Sequence, residues 1–152
     1  MLPAEVAEGR IAADTLLLDH EQRRMPRGTF KGLRGTMVEI ALPQGRRLRT
    51  GDVLQLDDGN LIEIVAKPED LLEVRTTDPS ALARLAWLLG DHHIPVEIHE
   101  RRLRLHRSDA ARVLLQPHGA RLPDARHPDT RLIEIEAPFE PEGGAYDGHA
   151  HR

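Results

Sequence analysis

The chain contains no cysteine and very few aromatic residues, and both shortages limit what it can do. Without cysteine it has no disulfide bond, no thiolate metal site and no cysteine nucleophile. Aromatic residues make up 3% of the sequence, against 39% for hydrophobic residues overall. The core must therefore be built mainly from leucine, isoleucine, valine and alanine, and a site for a soft metal must rely on imidazole ligands.

The sequence also lacks a long apolar run and an excess of basic residues. No segment approaches the roughly 18 consecutive apolar residues that span a bilayer. Glu5 and Glu8 precede the first apolar run, which is not typical of a secretory leader. The formal net charge is −4, whereas general nucleic-acid binders usually carry a basic excess. We therefore expect a soluble cytoplasmic protein that binds neither membranes nor nucleic acid.

The first half of the chain shows the alternation that is typical of short β-strands. Val38, Ile40 and Leu42 occupy every second position, which places them on one face of a strand. The segment 57–60, Asp-Asp-Gly-Asn, is a strong hairpin-turn signal, because glycine and asparagine adopt positive φ at little cost. We predict a small all-β domain over residues 1–70.

The periodicity changes after residue 70. A predicted strand over residues 71–75 is followed by Asp78 and Pro79, which suit the cap and the first position of a helix. Apolar residues then recur at helical spacing, and Gly90 predicts the end of this helix.

Two short strands, a second helix that Ser108 caps and a last strand complete the pattern. Val96 and Ile98 are expected to face the core. The order strand, helix, strand, strand, helix, strand is the ferredoxin-like pattern, with both helices on one face of an antiparallel sheet. We therefore predict an α+β chain with a ferredoxin-like (βαββαβ) metal-binding domain over 71–138. Residues 139–152 are rich in proline, glycine and acids, and predict a flexible tail.

Histidine is unusually frequent in this chain, with nine residues. Neutral imidazole is a good ligand for nickel, copper, zinc and iron. The histidines lie at positions 20, 92, 93, 99, 106, 118, 127, 149 and 151. Three groups are candidate metal ligands: an adjacent pair after the helix that ends near Gly90, a pair on the following hairpin, and a pair near the C-terminus.

The first two groups also have simpler interpretations. His92 and His93 follow a helix, where adjacent side chains usually point apart and exposed loop histidines are common. His99 and His106 are expected on the sheet face opposite the core, and they are neighbours if the hairpin pairs them. Polar residues on such a face are ordinary, and spacing alone favours a solvated face.

The remaining signals are weaker. His149 and His151 suit either a low-affinity metal-binding tail or a merely polar one. The basic runs within 23–34 and 101–107 suit nucleic acid or an acidic partner, but base-stacking aromatics are almost absent from them. A solvated face is the favoured interpretation. Ser108 next to an acid is better explained as a helix cap than as a nucleophile, so no enzymatic site emerges.

Several segments resemble the UreE family of urease accessory proteins. Residues 90–95, Gly-Asp-His-His-Ile-Pro, follow Trp87 and resemble a Gly-Asn-Arg-His-hydrophobic-Pro run that is typical of the family. Residues 136–146, Glu-Ala-Pro-Phe-Glu-Pro-Glu-Gly-Gly-Ala-Tyr, nearly match its C-terminal signature. Gly-Asp-Val-Leu at 51–54 and Leu-Glu-Val-Arg at 72–75 resemble its middle section. The resemblance covers essentially the whole chain.

The resemblance implies a homodimer that delivers nickel to urease during assembly, with the urease apoprotein and other urease accessory proteins as partners. It implies a partner-binding β domain and a ferredoxin-like metal-binding domain. The family's metal-binding histidine falls on His93, and its histidine-bearing C-terminus on His149 and His151. His92 stands where the family usually has arginine and is a further candidate ligand. In a two-fold dimer, two copies of His93 near the axis would share one ion.

Two other functions stay open beside this nickel carrier, which is not an enzyme. The chain is alternatively a metal buffer or sensor without a dedicated recipient. Imidazole sites also bind zinc and often prefer copper, so the residues do not separate these two functions. In a third interpretation the β domain binds peptide or RNA and the histidines are incidental.

Overall fold

The chain divides into two compact units, Met1–Lys67 and Pro68–Arg152. The structure, a computed structural model, describes residues 10–116 and 130–141. Nine strands and three helices lie in these described ranges, so the predicted α+β class is confirmed. None of these three helices is long and apolar enough to cross a bilayer.

The first unit is built mainly from short strands. Its elements are β1 (Asp14–Leu18), α1 (His20–Arg24), β2 (Arg27–Lys31), β3 (Met37–Ala41), β4 (Val53–Gln55) and β5 (Leu61–Ala66). β5 pairs in parallel with β1 and antiparallel with β4, while β2 and β3 form a separate antiparallel pair. The predicted turn joins β4 to β5, and Gly59 has a φ of +85° there. Aliphatic side chains of both sheets, including Leu16, Ile40 and Ile64, form one core.

The prediction that this unit is entirely β is wrong at α1. Asp19 caps this helix, because its carboxylate accepts a hydrogen bond from the Gln22 N–H at 2.8 Å. The Gln22 side chain in turn accepts a bond from the Asp19 N–H at 2.9 Å. This capping box satisfies two backbone donors, so a five-residue helix forms without a long apolar repeat.

The second unit contains two helices and one antiparallel sheet. Its elements are β6 (Pro68–Arg75), α2 (Pro79–Asp91), β7 (Glu97–Ile98), β8 (Arg102–His106), α3 (Asp109–Leu115) and β9 (Arg131–Pro138). The strand order is β7-β8-β6-β9, and all three pairings are antiparallel. Asp78 and Ser108 cap α2 and α3 as predicted, each accepting a backbone N–H of the first helical turn.

The two faces of this sheet differ in chemistry. One face packs against the helices through an aliphatic core of Leu72, Val74, Leu85, Leu89, Val96, Leu103, Leu105, Ala111 and Leu115. The alternate positions of β6 and β8 carry charged side chains such as Glu73 and Arg104. Ile98 pairs with the buried Leu103 but is 45% exposed, because β7 is a two-residue strand at the edge of the sheet. The expectation that Ile98 joins the core is therefore wrong.

The packed structure continues past the end of β9. Phe139 is fully buried, and its ring centroid lies 4.4 Å from that of His106. The Glu140 N–H donates a hydrogen bond to the Glu97 carboxylate at 3.1 Å. The sequence predicts a flexible tail from residue 139, but the structure shows that Phe139 and Glu140 are packed against the second unit. The rest of the predicted tail, 142–152, lies outside the described residues.

Candidate metal centre at the end of helix α2

The helix that carries the candidate ligands is held by its buried face. One face of α2 carries three buried leucines, Leu85, Leu88 and Leu89. Leu88 and Leu89 follow Leu85 by about one helical turn. Burial of a leucine side chain contributes roughly 1.5–3 kcal/mol. The last two turns of α2, which lead into His92 and His93, are therefore fixed to the core.

The prediction that Gly90 ends this helix is wrong. The helix continues through Asp91, and His92 is its C-cap. A glycine within four residues of a helix end predicts the stop, but it does not fix which residue takes the left-handed conformation. Here the glycine is a helical residue, and the residue with the left-handed conformation, His93, lies three positions after it.

His93 makes the turn that ends the helix. Its φ is +56°, and it is the only non-glycine residue with positive φ in the ranges 10–116 and 130–141. The His93 N–H donates to the Gly90 carbonyl at 3.0 Å, and the Ile94 N–H donates to the Leu89 carbonyl at 2.9 Å. These two bonds form a Schellman motif, in which the left-handed position is usually glycine.

The conformation of His93 is therefore strained. In the left-handed region the β-carbon crowds the following carbonyl, which costs a non-glycine residue roughly 1–2 kcal/mol. The two backbone bonds and the buried helix compensate for this cost. The imidazole of His93 is exposed, and the backbone that carries it is held in a single conformation.

His92 is oriented by a different contact. Its Nδ1 lies 3.0 Å from the Leu88 carbonyl oxygen. Because a carbonyl oxygen can only accept, Nδ1 carries the proton in this bond, and the lone pair is left on Nε2. A histidine that ligates a metal commonly donates its other ring N–H in this way, which fixes its tautomer. With this tautomer, Nε2 is the ring atom of His92 that has a lone pair to offer a cation.

The electrostatics of this helix end favour a cation. The unpaired carbonyls of a helix C-terminus carry a partial negative charge, which stabilises a nearby cation by roughly 0.3–1 kcal/mol. Asp91 adds an exposed carboxylate in the last turn. No group of three or more His, Asp or Glu side chains with metal-binding geometry occurs in the described part of the chain.

His99 and His106 do not come together, so the condition under which they would be cross-strand neighbours is not met. The register of β7 and β8 sets the His99 N–H against the Arg102 carbonyl, four residues before His106. Each imidazole instead meets a carboxylate: His99 pairs with Glu97, and His106 Nε2 lies 2.7 Å from Glu69. Both histidines face away from the helices, as the alternation predicts.

The other predicted ligands, His149 and His151, lie outside the described residues. His92 and His93 are therefore the predicted ligands whose positions can be described. They are adjacent in the chain and both are exposed, but their backbone conformations differ: His92 lies near the helical region and His93 is left-handed.

Sequence reasoning missed two exposed apolar side chains on the helices. Trp87 on α2 is 69% exposed, and Val113 on α3 is 66% exposed. The signal for Trp87 was available, because the apolar repeat of Leu82, Leu85 and Leu89 defines the buried face of α2 and leaves residue 87 off it. An exposed tryptophan in a chain with only one is a candidate contact residue.

Comparison with known proteins bears on both units. A family model described as the N-terminal domain of UreE urease accessory protein matches residues 3–67, and one for its C-terminal domain matches residues 69–152. A protein named urease accessory protein UreE from a Bradyrhizobium species is 44% identical over 140 residues, which are 92% of this chain and 63% of that relative.

Two further proteins with this name are similar. The one from Beijerinckia indica is 44% identical over 137 residues, 90% of this chain and 73% of its own length. The one from a Chelativorans species is 41% identical over 140 residues, 92% of this chain and 82% of its own length. The chain spans less than two thirds of the length of several relatives, such as the Bradyrhizobium protein.

Proposed function

The chain belongs to the UreE family of urease accessory proteins, and on that premise we propose that it is a nickel-binding metallochaperone. It binds Ni(II) and delivers it during assembly of the urease metal centre, with the urease apoprotein and other urease accessory proteins as partners. It makes and breaks metal–ligand bonds and catalyses no reaction on a substrate. The observation that carries this proposal is the exposed, left-handed His93 at the C-terminus of α2.

The geometry at this helix end suits delivery better than storage. A structural metal site is closed by four protein ligands, whereas a site with open positions exchanges ligands readily. His93 and His92 together supply fewer than four, and both are exposed. An ion held by so few protein ligands is accessible to the ligands of a recipient. Release then proceeds by exchange of one ligand for another.

The proposal includes a homodimer in which His93 meets its own copy. A residue near a two-fold axis is duplicated across it, so two His93 side chains supply two ligands to one shared ion. Exposed Trp87 and Val113 support such an interface, because large apolar residues and especially aromatics are enriched at the centres of interfaces. His149 and His151 would add imidazoles at high effective concentration, since they belong to the same chain.

The identity of the ion is also a proposal. Imidazole donors bind nickel, zinc and copper alike, so the donor set permits all three. The family's role in urease assembly favours nickel as the cargo. A cytoplasmic location and a ferredoxin-like arrangement of the second unit stay part of the proposal. The latter is supported by the order of elements from β6 to β9 and by the antiparallel strand order β7-β8-β6-β9.

Nickel titration calorimetry on the intact chain near neutral pH tests the metal site. We expect about one ion per two chains, with sedimentation confirming the dimer. His93→Asn should abolish this binding, because asparagine accepts the left-handed conformation but supplies no imidazole. His99→Asn is the matched control, since it removes an imidazole from the opposite sheet face and should leave binding intact.

Restoration of urease activity tests the delivery step. In cells that lack their own copy of this protein, the wild-type chain should restore nickel-dependent urease activity, and His93→Asn should not. If the wild-type chain binds nickel but does not raise urease activity, the chain is a buffer or sensor and the delivery proposal fails. If His93→Asn binds nickel as tightly as the wild type, the proposed site is wrong.

A further inference from the structure

A basic cavity lies on the second unit, away from the candidate metal centre. Its volume is about 610 Å³, within the range of small-molecule sites. Four arginines line it, Arg75, Arg101, Arg102 and Arg131, together with His99, two threonines and one carboxylate, Glu100. The cavity therefore presents a large excess of positive charge in a chain whose formal net charge is −4.

Three of these arginines stand in one row across the sheet. Arg75 of β6 is the direct partner of Arg102 on β8 and of Arg131 on β9. Directly opposed side chains on neighbouring antiparallel strands point to the same face about 5 Å apart, and like charges in such positions destabilise the sheet. Permanent charges are unavoidable here, because arginine does not lose its proton in proteins. The row is unfavourable unless negative charge meets it.

One buried carboxylate meets part of this charge. Glu73 is fully buried and contacts the Nε atoms of Arg75 and Arg104, and it lies 4.0 Å from that of Arg102. Burial by itself raises the pKa of Glu73, but the hydrogen bonds from Arg104 and Arg75 outweigh it and hold the pKa below its usual value. Glu73 therefore stays ionised. It hydrogen-bonds Arg75 and lies 4.0 Å from Arg102, and both of these arginines line the cavity.

The other two arginines have no carboxylate partner within residues 10–116 and 130–141. Arg101 and Arg131 are exposed, and their guanidinium groups make no hydrogen bond or ion pair within the described part of the chain. Glu73 is shared among three other arginines, and Glu100 is the only further carboxylate among the described residues that line the cavity. Two guanidinium groups close to Glu73, and two without a carboxylate partner among the described residues, thus line one cavity.

We propose that this cavity binds a small phosphate-bearing anion. The planar guanidinium group donates two parallel hydrogen bonds to a phosphate, which makes arginine the preferred residue for such ligands. The opposed arginines of the row offer several such donors to one polyanion, and the bound charge relieves their mutual repulsion. The volume accommodates a nucleotide or a pyrophosphate.

The cavity is independent of the metal function. It lies where β6 leads into the start of α2, and His93 follows the end of this helix. Thirteen helical residues separate the two ends by roughly 20 Å. Anion binding therefore neither requires nickel nor depends on His93, and the two proposals can fail separately.

Titration calorimetry of the metal-free intact chain with pyrophosphate and with magnesium-free ATP tests this site. We expect one saturable site per chain, weakened by added salt because the attraction is between charges. Tighter binding of ATP assigns the site to nucleotides, and equal binding assigns it to free phosphate anions. Arg101→Gln with Arg131→Gln should weaken binding about tenfold or more, as expected for lost charge-assisted hydrogen bonds.

Arg49→Gln with Arg84→Gln is the charge-matched control, because both arginines are exposed and lie outside the cavity. This double variant should bind pyrophosphate like the wild type, as should His93→Asn. Circular dichroism checks that each variant is folded. Absence of saturable binding, or equal weakening in both double variants, would overturn the proposal. Binding of polyglutamate or RNA but not of pyrophosphate would also overturn it.

Discussion

The two ends of helix α2 follow opposite rules. At the start, Asp78 caps the first turn and Pro79 occupies the first helical position, and both are the residue types that these positions favour. At the end, Gly90 lies inside the helix and His93 takes the left-handed position that follows it. Glycine is unfavourable inside a helix and favourable at the left-handed position. The helix end would therefore be more stable with a good helix former at position 90 and glycine at position 93.

On the proposed function, this difference marks the position where the helix is less stable because it carries a metal ligand. A well-adapted sequence satisfies local preferences almost everywhere, and violations concentrate at functional or strained sites. The violation at the end of α2 falls on the histidine that the family resemblance selects as a metal ligand. A glycine there would end the helix at lower cost but would have no imidazole to offer.

The largest expected effect comes from His93→Gly. Removal of a metal ligand should weaken nickel binding by well over a hundredfold, since changes to residues that merely support a ligand already cost 10–100-fold. The same substitution should raise the free energy of unfolding of the second unit by roughly 1 kcal/mol, because it removes the left-handed strain. Nickel calorimetry and urea denaturation measure the two opposite changes.

His93→Asn is the control that separates these two effects. Asparagine tolerates the left-handed region better than most residues, so nickel binding should be lost with a smaller gain in stability than glycine gives. If the glycine variant is less stable than the wild type, the strain argument for His93 is wrong, whatever happens to nickel.

The start of the helix should respond in the reverse way to Asp78→Ala. Loss of the cap, which now accepts the Ser80 N–H at 2.9 Å, should lower the free energy of unfolding by about 1 kcal/mol. Nickel affinity should not change, because the cap is a helix length away from His93. Asp78→Ser retains a capping oxygen and should recover most of the loss in urea denaturation. A drop in nickel affinity with Asp78→Ala would contradict the independence of the two ends.

The fold was predictable where local chemistry determines it. Asp78 and Pro79 predict the start of α2. Asp78 supplies a side-chain acceptor and Pro79 lacks an N–H, and both effects act within one turn. The alternation of Val38 and Ile40 likewise identifies a buried strand face. The short helix α1 was missed, although Asp19 and Gln22 already had the spacing of a capping box.

The end of α2 was not predictable from its glycine. The stop depends on Ile94, whose N–H reaches back to the Leu89 carbonyl and whose side chain packs on the core. Such a contact is decided by tertiary packing rather than by the residue type at position 90. Whether the hairpin pairs His99 with His106 was likewise open from the sequence. The turn before Arg102 sets the register of the hairpin, and a shift in register changes every cross-strand neighbour.

The candidate site was predictable only in part. Spacing did not single out His93 from nine histidines, and the family resemblance did. Its positive φ and the Nδ1 contact of His92 needed the structure. The arginine row also escaped sequence reasoning, because Arg75, Arg102 and Arg131 are far apart in the chain and meet only through strand register.

The smallest effect is expected from Gly90→Ala. A β-carbon at this position has no heavy atom within 4 Å, and alanine in place of a helical glycine should raise the free energy of unfolding by roughly 0.5–1 kcal/mol. Thermal and urea unfolding measure the gain, and nickel affinity should stay at the wild-type value. If stability rises but nickel binding weakens, then Gly90 serves the site by leaving space for a second copy of the chain beside His93. In that case both Gly90 and His93 serve nickel binding at the end of α2. If nickel binding is unchanged, only His93 serves it.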